Sequence, residues 1–174
     1  DIVGDLHTHT LWSDGRDSVD TMVFAARALG YHYLAITDHS PSAAAARVLT
    51  LDRLDQQAAE VARMRAAVPG MTILHGVEVD ILADGSLDLP DAVLARLDIV
   101  LASLHEPHGQ APARLLERYA RAMRHPLVNI VTHPANRMPG RDEGYALDFD
   151  ALFRMAVETG TVLEIDGGPG HLDL

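Results

Sequence analysis

Short apolar segments that end at a histidine or an acidic residue recur along this chain and constrain its fold. The segments, with the polar residues that follow them, are 2–6 with His7 and His9, 33–37 with His39, 71–77 with Glu78, 99–104 with His105, and 127–132 with His133. Buried parallel strands have such apolar sequences, and their carboxyl ends share one rim of a sheet or barrel. The sequence therefore predicts that these polar side chains meet at one rim.

Helical patterns alternate with the strand-like segments. The predicted helices lie between Ser18 and Gly30, over about 50–68, after Pro90, over about 113–124 and after Asp148, and a sixth strand is predicted over 161–165. This alternation predicts an α/β fold in which helices cover a parallel sheet. Candidate ligands at nearly every strand end favour a barrel, because an open doubly wound sheet gathers its site at one switch point.

The chain has 174 residues and no cysteine. Its length fits one domain, which we expect to span residues 1–174. The lack of cysteine excludes disulfides and thiolate-bound metals and fits a reducing compartment, so we expect a cytoplasmic protein. No segment approaches the ~18 apolar residues of a membrane span, so we expect no membrane association. Because the sequence starts at Asp1 and stops just after a strand-like segment, we expect it to be part of a longer polypeptide.

The formal net charge of −11 argues against a broad basic surface that grips nucleic acid. It does not exclude an enzyme that meets a phosphodiester through bound metal ions, because those cations supply the local positive charge.

The segment His7-Thr8-His9 is the strongest local signal for a metal site. Side chains two residues apart on a strand face the same way, so both imidazoles can bind one ion. Two buried or surface histidines are the alternative interpretation. Asp14, in Ser13-Asp14-Gly15, has an alternative role as a turn aspartate that bonds its own backbone.

The remaining candidates each have a structural alternative when taken singly. His39, His105 and His133 stand where strands leave the core, where a lone histidine is commonly a hydrogen-bonded structural residue. Glu78 can pair with an arginine, or it can bridge two metal ions among histidines. Their shared position at strand ends favours a metal centre, with His7, His9, Glu78, His105 and His133 as the candidate catalytic residues.

A set of nitrogen and oxygen ligands without sulfur suits zinc, manganese or iron(II). Such ions activate water and neutralise phosphoryl oxygens in phosphoester hydrolysis. The chain contains no Gly-x-Ser-x-Gly elbow, Walker A loop or dinucleotide-binding fingerprint, so we expect no serine nucleophile and no nucleotide cofactor. Arg137 and Arg141, in a long loop after His133, are candidates for phosphate binding, with solvated loop arginines as the alternative.

The order of these residues resembles that of the PHP (polymerase and histidinol phosphatase) family along essentially the whole chain. The motifs that carry the resemblance are Leu6-His-Thr-His-Thr, Ser13-Asp-Gly, Ala35-Ile-Thr-Asp-His-Ser, Gly76-Val-Glu-Val-Asp and Thr132-His-Pro. They are most similar to the PHP domain of bacterial family X DNA polymerases. This resemblance implies a distorted (β/α)7 barrel and manganese-dependent 3′–5′ exonuclease or related phosphodiesterase activity in base-excision repair, linked to a polymerase domain.

The resemblance also implies up to three metal ions (manganese, zinc or iron), with manganese favoured for activity. The first ion would be held by His7, His9 and Glu78, and Glu78 would bridge to a second. The implied ligands of the other two ions are His105 and His133 for the second, and Asp14 and His39 for the third. The family closes with an Asp-x-His motif on a seventh strand, which this chain does not reach, so the resemblance implies a barrel truncated before its last strand.

Three functions follow as hypotheses. The first is a metal-dependent phosphodiesterase that acts on DNA 3′ ends as the nuclease module of a repair polymerase. The second is a phosphatase for a small phosphomonoester, as in the histidinol-phosphate branch, which the acidic surface suits. The third is a non-catalytic module that binds metal for stability.

Overall fold

A computed structural model describes residues 2–43, 45, 47–105, 109–168 and 170–172. Strands and helices alternate within these ranges, as the sequence predicts. The strands are β1 (Gly4–Asp5), β2 (Tyr33–Ile36), β3 (Thr72–Asp80), β4 (Ile99–Ser103), β5 (Ile130–Val131) and β6 (Val162–Leu163). The helices are α1 (Val19–Ala28), α2 (Leu51–Ala67), α3 (Asp91–Leu94), α4 (Pro112–Met123) and α5 (Phe149–Thr159).

The strands are ordered in the sheet as they are in the chain, β1-β2-β3-β4-β5-β6. Parallel pairing joins β1 to β2 and β2 to β3, with Gly4 opposite Tyr33 and Leu34 opposite Ile73. It also joins β4 to β5 and β5 to β6. A strand order without reversal is that of a (β/α) barrel, whereas a doubly wound sheet reverses at its switch point.

The residues form two compact units. The first contains the chain up to Glu78 together with Asp91–Val100, and the second contains Val79–Pro90 and the chain from Leu101 onwards. The core of the first unit joins one face of α1 and α2 to β2 and β3 through Val19, Val23, Leu34, Ile36, Val61, Met64 and Ile73. In the second unit α4 packs against α5, and the buried apolar side chains include Leu101, Leu104, Leu115, Tyr119 and Leu152.

Helix ends follow the predicted capping residues. The Ser18 side chain accepts a hydrogen bond from Thr21 N at the start of α1, and the Asp148 side chain accepts one from Ala151 N at the start of α5. Gly30, after the end of α1, has a φ of +81°, a left-handed conformation that glycine adopts without steric cost. These local signals place the helices correctly.

The strand lengths differ from the prediction. β1 has two residues because the Asp5 side chain accepts from His7 N (3.0 Å) and takes that N–H out of the ladder. β5 also has two residues, because Val128 N donates to His125 O (3.1 Å) in a turn that extends the connection after α4. β3 is longer than predicted and ends at Asp80, so Glu78 lies inside the strand and not at its end.

Arginines on α4 hold the segment that follows β3. Arg118 is only 1% exposed, and it donates to the carbonyl oxygens of Leu82 (2.9 Å) and Ile81. Arg114 donates to Ala83 O from a more exposed position on the same helix. The two arginines thereby hold the carbonyl groups of three consecutive residues, 81–83. Among the described helices, none is both long and apolar enough to cross a membrane.

A buried polar pair links α2 to β3 in the first unit. His75 Nε2 lies 3.0 Å from Gln57 Oε1, and both residues are buried. Burial lowers the pKa of His75 below its usual 6.5; the Asp98 carboxylate opposes this shift, whereas Arg65 and Arg96 reinforce it.

Replacing Arg118 by methionine should lower the free energy of unfolding by about 2 kcal/mol or more, because the buried Ile81 carbonyl and the half-buried Leu82 carbonyl each lose a charged donor, although Leu82 O keeps its bond from Gly85 N. Arg114→Met, at the exposed position, should cost less than about 1 kcal/mol. Urea denaturation of the two variants beside the wild type measures both effects. Equal losses in the two variants would show that burial of the guanidinium is irrelevant.

The metal-free protein should lose stability as the pH falls below 6.5, partly because of His75. The lowered pKa means that the unfolded chain binds a proton there before the folded chain does, so the contribution is present above 6.5 and lost on acidification. Unfolding free energies measured with a chelator at about pH 7.5 and about pH 5.5 should show a smaller loss in His75→Gln than in the wild type. An unchanged difference between the two pH values would contradict this assignment.

Candidate metal centre

Three predicted ligands, His7, His9 and Glu78, present converging donor atoms in the first unit. Glu78 Oε2 lies 3.4 Å from His7 Nε2 and 3.4 Å from His9 Nε2. The two Nε2 atoms are 3.0 Å apart. Two donors that bind one tetrahedral zinc ion at about 2.1 Å lie about 3.4 Å from each other. The spacing of these atoms therefore suits a shared ion.

The histidine pair is positioned by the threonine between its members. Thr8 N donates to Thr37 Oγ1 (2.9 Å), and Thr8 O accepts from Thr37 N (2.9 Å). The Thr8 hydroxyl donates to Ala35 O. Because side chains alternate along an extended chain, fixing Thr8 against β2 directs both flanking imidazoles to the opposite side.

A second group shares His9 with the first and adds Asp14 and His39. Asp14 Oδ1 is 3.3 Å from His9 Nδ1, and Asp14 Oδ2 is 3.6 Å from His39 Nε2. The other nitrogen of His39, Nδ1, lies 2.8 Å from Glu78 Oε2. His9 and His39 thus each stand between the buried Glu78 and the more exposed Asp14.

Gly15 allows the turn that carries Asp14 to approach the histidine segment. A Cβ atom at this position would collide with the backbone carbonyl of His9 and with Thr10 N. The residue after Asp14 must therefore lack a side chain if the turn is to pack here.

Burial controls the charge of the first group. Glu78 has no exposed surface. Burial lowers the pKa of His9 from 6.5 to about 4; the Glu78 carboxylate opposes this shift, and His39 and His7 add to it. His9 is therefore neutral at pH 7, and one of its ring nitrogens has a lone pair that can bind a cation.

The second unit contains the two remaining predicted ligands, His105 and His133. Their ring centroids are 5.4 Å apart. Asp80 Oδ1 lies 2.8 Å from His105 Nδ1, and Ser103 Oγ lies 3.4 Å from His133 Nε2. A carboxylate on one imidazole nitrogen is the arrangement that orients metal-binding histidines and fixes their tautomer.

His133 has an unusual backbone conformation, with a φ of +26°. Its N–H donates to Glu164 Oε2 (2.8 Å), the acidic residue that follows β6. Positive φ values in residues other than glycine cost energy and persist where surrounding contacts impose them, commonly at functional sites. Glu164 supplies one such contact.

The donors in both units are imidazole nitrogens and carboxylate oxygens, so they fit zinc, manganese or iron(II) as the sequence predicts. The number and identity of the ions stay predictions. So does the bridging role of Glu78 toward a second ion at His105 and His133.

The two predicted phosphate-binding arginines lie in the loop after His133. Arg137 Nε donates to Leu172 O (2.8 Å), which ties the loop to the chain beyond β6. Arg141 is exposed in a turn in which its N–H donates to Met138 O (2.9 Å). Their role toward phosphate stays a prediction.

Asp80 and Glu164 were not predicted from the sequence as site residues. Asp80 stands two residues after Glu78, and because side chains alternate along β3, both side chains lie on the same face of the strand. Glu164 is an acid directly after a strand, the signal that selected the other candidates. Both contact predicted ligands in the second unit.

Comparisons with known proteins identify the family of this chain. A family model, the PHP domain, matches residues 5–166. The DNA polymerase/3′-5′ exonuclease PolX of Bacillus subtilis is 45% identical over 99% of this chain and 30% of its own length. A probable phosphatase of Syntrophotalea carbinolica is 32% identical over 93% of this chain and 64% of its own length. The chain thus spans less than two thirds of either relative.

One solved structure provides the fold comparison. Histidinol phosphate phosphatase from Lactococcus lactis, a complex with zinc, L-histidinol and phosphate, matches with a TM-score of 0.58 at 16% identity, over 93% of this chain and 72% of that one. This likeness confirms the predicted fold class, a parallel α/β barrel of the PHP type. Given the family match over residues 5–166, the chain belongs to the PHP domain family.

Proposed function

We propose that this chain is a metal-dependent phosphodiesterase that shortens DNA from its 3′ end, as the nuclease module of a family X repair polymerase. The observation that carries the proposal is the convergence of donor atoms of His7, His9 and Glu78, of which Glu78 is fully buried. The 45% identity to a DNA polymerase/3′-5′ exonuclease favours DNA over other phosphoesters.

The chain's own side chains would divide the work of hydrolysis. His7, His9 and Glu78 hold one divalent ion, and Asp14 and His39 contribute to a further one. Bound divalent ions lower the pKa of coordinated water toward ~7, neutralise phosphoryl oxygens and stabilise the departing alkoxide. His9 presents a neutral imidazole at pH 7 because burial lowers its pKa to about 4.

In the second unit, His105 and His133 are the proposed ligands of another ion. Asp80 fixes the His105 ring through Nδ1, and Glu164 fixes the His133 backbone through its N–H. Arg137 and Arg141 are proposed to bind substrate phosphate. The proposal also includes up to three bound metal ions, with manganese as the active metal. It further includes a covalently linked polymerase domain and a cytoplasmic location.

A phosphomonoesterase is the second candidate. Its support is the 32% identity to a probable phosphatase that this chain covers over 64% of its length. A net charge of −11 also suits a small substrate better than a long polyanion. A metal-binding module without catalysis is the third candidate.

Oligonucleotide cleavage distinguishes these candidates. The manganese-loaded chain should shorten a 5′-labelled DNA strand in single-nucleotide steps, and it should hydrolyse bis-p-nitrophenyl phosphate faster than p-nitrophenyl phosphate. Faster turnover of the monoester would favour the phosphatase. Stoichiometric metal binding without turnover of either ester would favour the non-catalytic module.

Replacing His9 by alanine should abolish shortening of DNA and weaken manganese binding by about 100-fold or more, because losing a direct ligand costs more than losing a supporting residue. Isothermal titration with MnCl2 and the oligonucleotide assay measure the two effects. His32→Ala is the matched control, since His32 is an exposed histidine of the same unit. Wild-type affinity in His9→Ala would remove His9 from the centre.

A further inference from the structure

We propose that Asp38 is a positioning residue of the metal centre, which holds the loop of residues 10–13 and through it the ligand Asp14. This inference rests on the metal centre of the proposed function. It assigns a role to a residue that is not itself a candidate ligand and that precedes the ligand His39 in the chain.

The Asp38 carboxylate is fully buried and accepts hydrogen bonds on both oxygens. Oδ1 accepts from Thr10 N (2.7 Å), Ser13 N (3.0 Å) and Ser13 Oγ (2.6 Å). Oδ2 accepts from Thr10 Oγ1 (2.8 Å) and from Gln57 Nε2 (2.6 Å). Hydrogen bonds to an ionised acceptor are shorter and stronger than those between neutral groups, so one side chain fixes several groups at once.

Four of these five bonds come from the loop that joins two ligands. Thr10 follows His9 directly, and Ser13 precedes Asp14 directly. Ser13 Oγ also lies 3.4 Å from His9 Nδ1 and 3.4 Å from Asp14 Oδ1. Holding Thr10 and Ser13 to one buried carboxylate therefore restricts where His9 and Asp14 place their donor atoms.

The fifth bond connects the same carboxylate to the core. Gln57 lies on α2, donates to Asp38 and faces His75 on β3 through its other amide atom. Both Gln57 and Asp38 have no exposed surface. The carboxylate thus has a loop side, which touches the metal site, and a core side, which does not.

This division supplies a matched pair of variants. Thr10→Val deletes one hydrogen bond to Oδ2 from the loop side, and Gln57→Met deletes one from the core side. Each substitution keeps the approximate volume of a buried residue. Asp38→Asn removes the negative charge. It also leaves one acceptor oxygen in place of the two carboxylate oxygens that accept these five hydrogen bonds.

Manganese binding to the full chain, measured by calorimetry with MnCl2 in chelator-free buffer, is the first measurement. Asp38→Asn and Thr10→Val should weaken binding by about 10-fold to 100-fold, the usual cost of losing a group that orients ligands. Gln57→Met should change binding by less than about 2-fold, although the free energy of unfolding falls in all three. If Asp38→Asn fails to fold, the difference in manganese affinity between Thr10→Val and Gln57→Met still tests the positioning role.

Trp12 supplies a second measurement, since it is the only tryptophan of the chain and its backbone N–H donates to Thr10 Oγ1 (3.2 Å), whereas its indole Nε1 donates to Glu60 Oε2 (2.7 Å). Acrylamide should quench its fluorescence more readily in Asp38→Asn and Thr10→Val than in Gln57→Met. Wild-type affinity in all variants, or equal weakening in Thr10→Val and Gln57→Met, would overturn the positioning role. A wild-type chain that binds manganese without shortening DNA would overturn the proposed function and leave this inference standing.

Discussion

The buried carboxylate of Glu78 is the constraint on which the candidate site depends. A carboxylate without exposed surface loses the stabilisation that hydration provides. The protein must replace it with hydrogen bonds or an opposite charge. Here imidazole nitrogens of His7, His9 and His39 lie within 3.4 Å of Oε2. At least one of them, His9, is neutral at pH 7 because of its lowered pKa. A divalent cation compensates the carboxylate more effectively than a neutral ring, so this arrangement of donors suits a metal ion.

The ligands are placed more by side-chain hydrogen bonds than by strand pairing. β1 pairs with β2 over two residues only, so the ladder alone gives little precision to the segment that follows it. Thr8 extends the attachment by bonding Thr37 and Ala35, and Asp38 extends it again by bonding residues 10–13. These side-chain contacts supplement the backbone bond from Thr37 N to Thr8 O. The loop between the candidate ligands His9 and Asp14 is thereby attached at several points, which is how supporting residues orient metal ligands.

The sequence was sufficient for the alternation of elements, for the capping of α1 and α5, and for the convergence of candidate ligands in the first unit. Those features depend on local signals such as Ser18, Asp148 and the spacing of His7 and His9. It was insufficient for the lengths of β1 and β5, because Asp5 and the turn at His125 divert backbone groups from the ladder. The role proposed for Asp38 could not be predicted from its neighbours in the sequence either. Its donors come from Gln57 on α2 and from the first loop, and only the folded chain brings them together.

The net charge of −11 and a polyanionic substrate are compatible if the attraction is local. At physiological ionic strength the Debye length is about 8 Å, so carboxylates on distant surfaces contribute little at the site. Divalent ions held by uncharged imidazoles keep most of their charge, and the candidate ligand His9 is uncharged at pH 7. Under the proposed function, the negative net charge would repel the long body of a nucleic acid while bound cations would attract a single phosphodiester. Such a balance favours a substrate that presents one strand end over a duplex bound along its length.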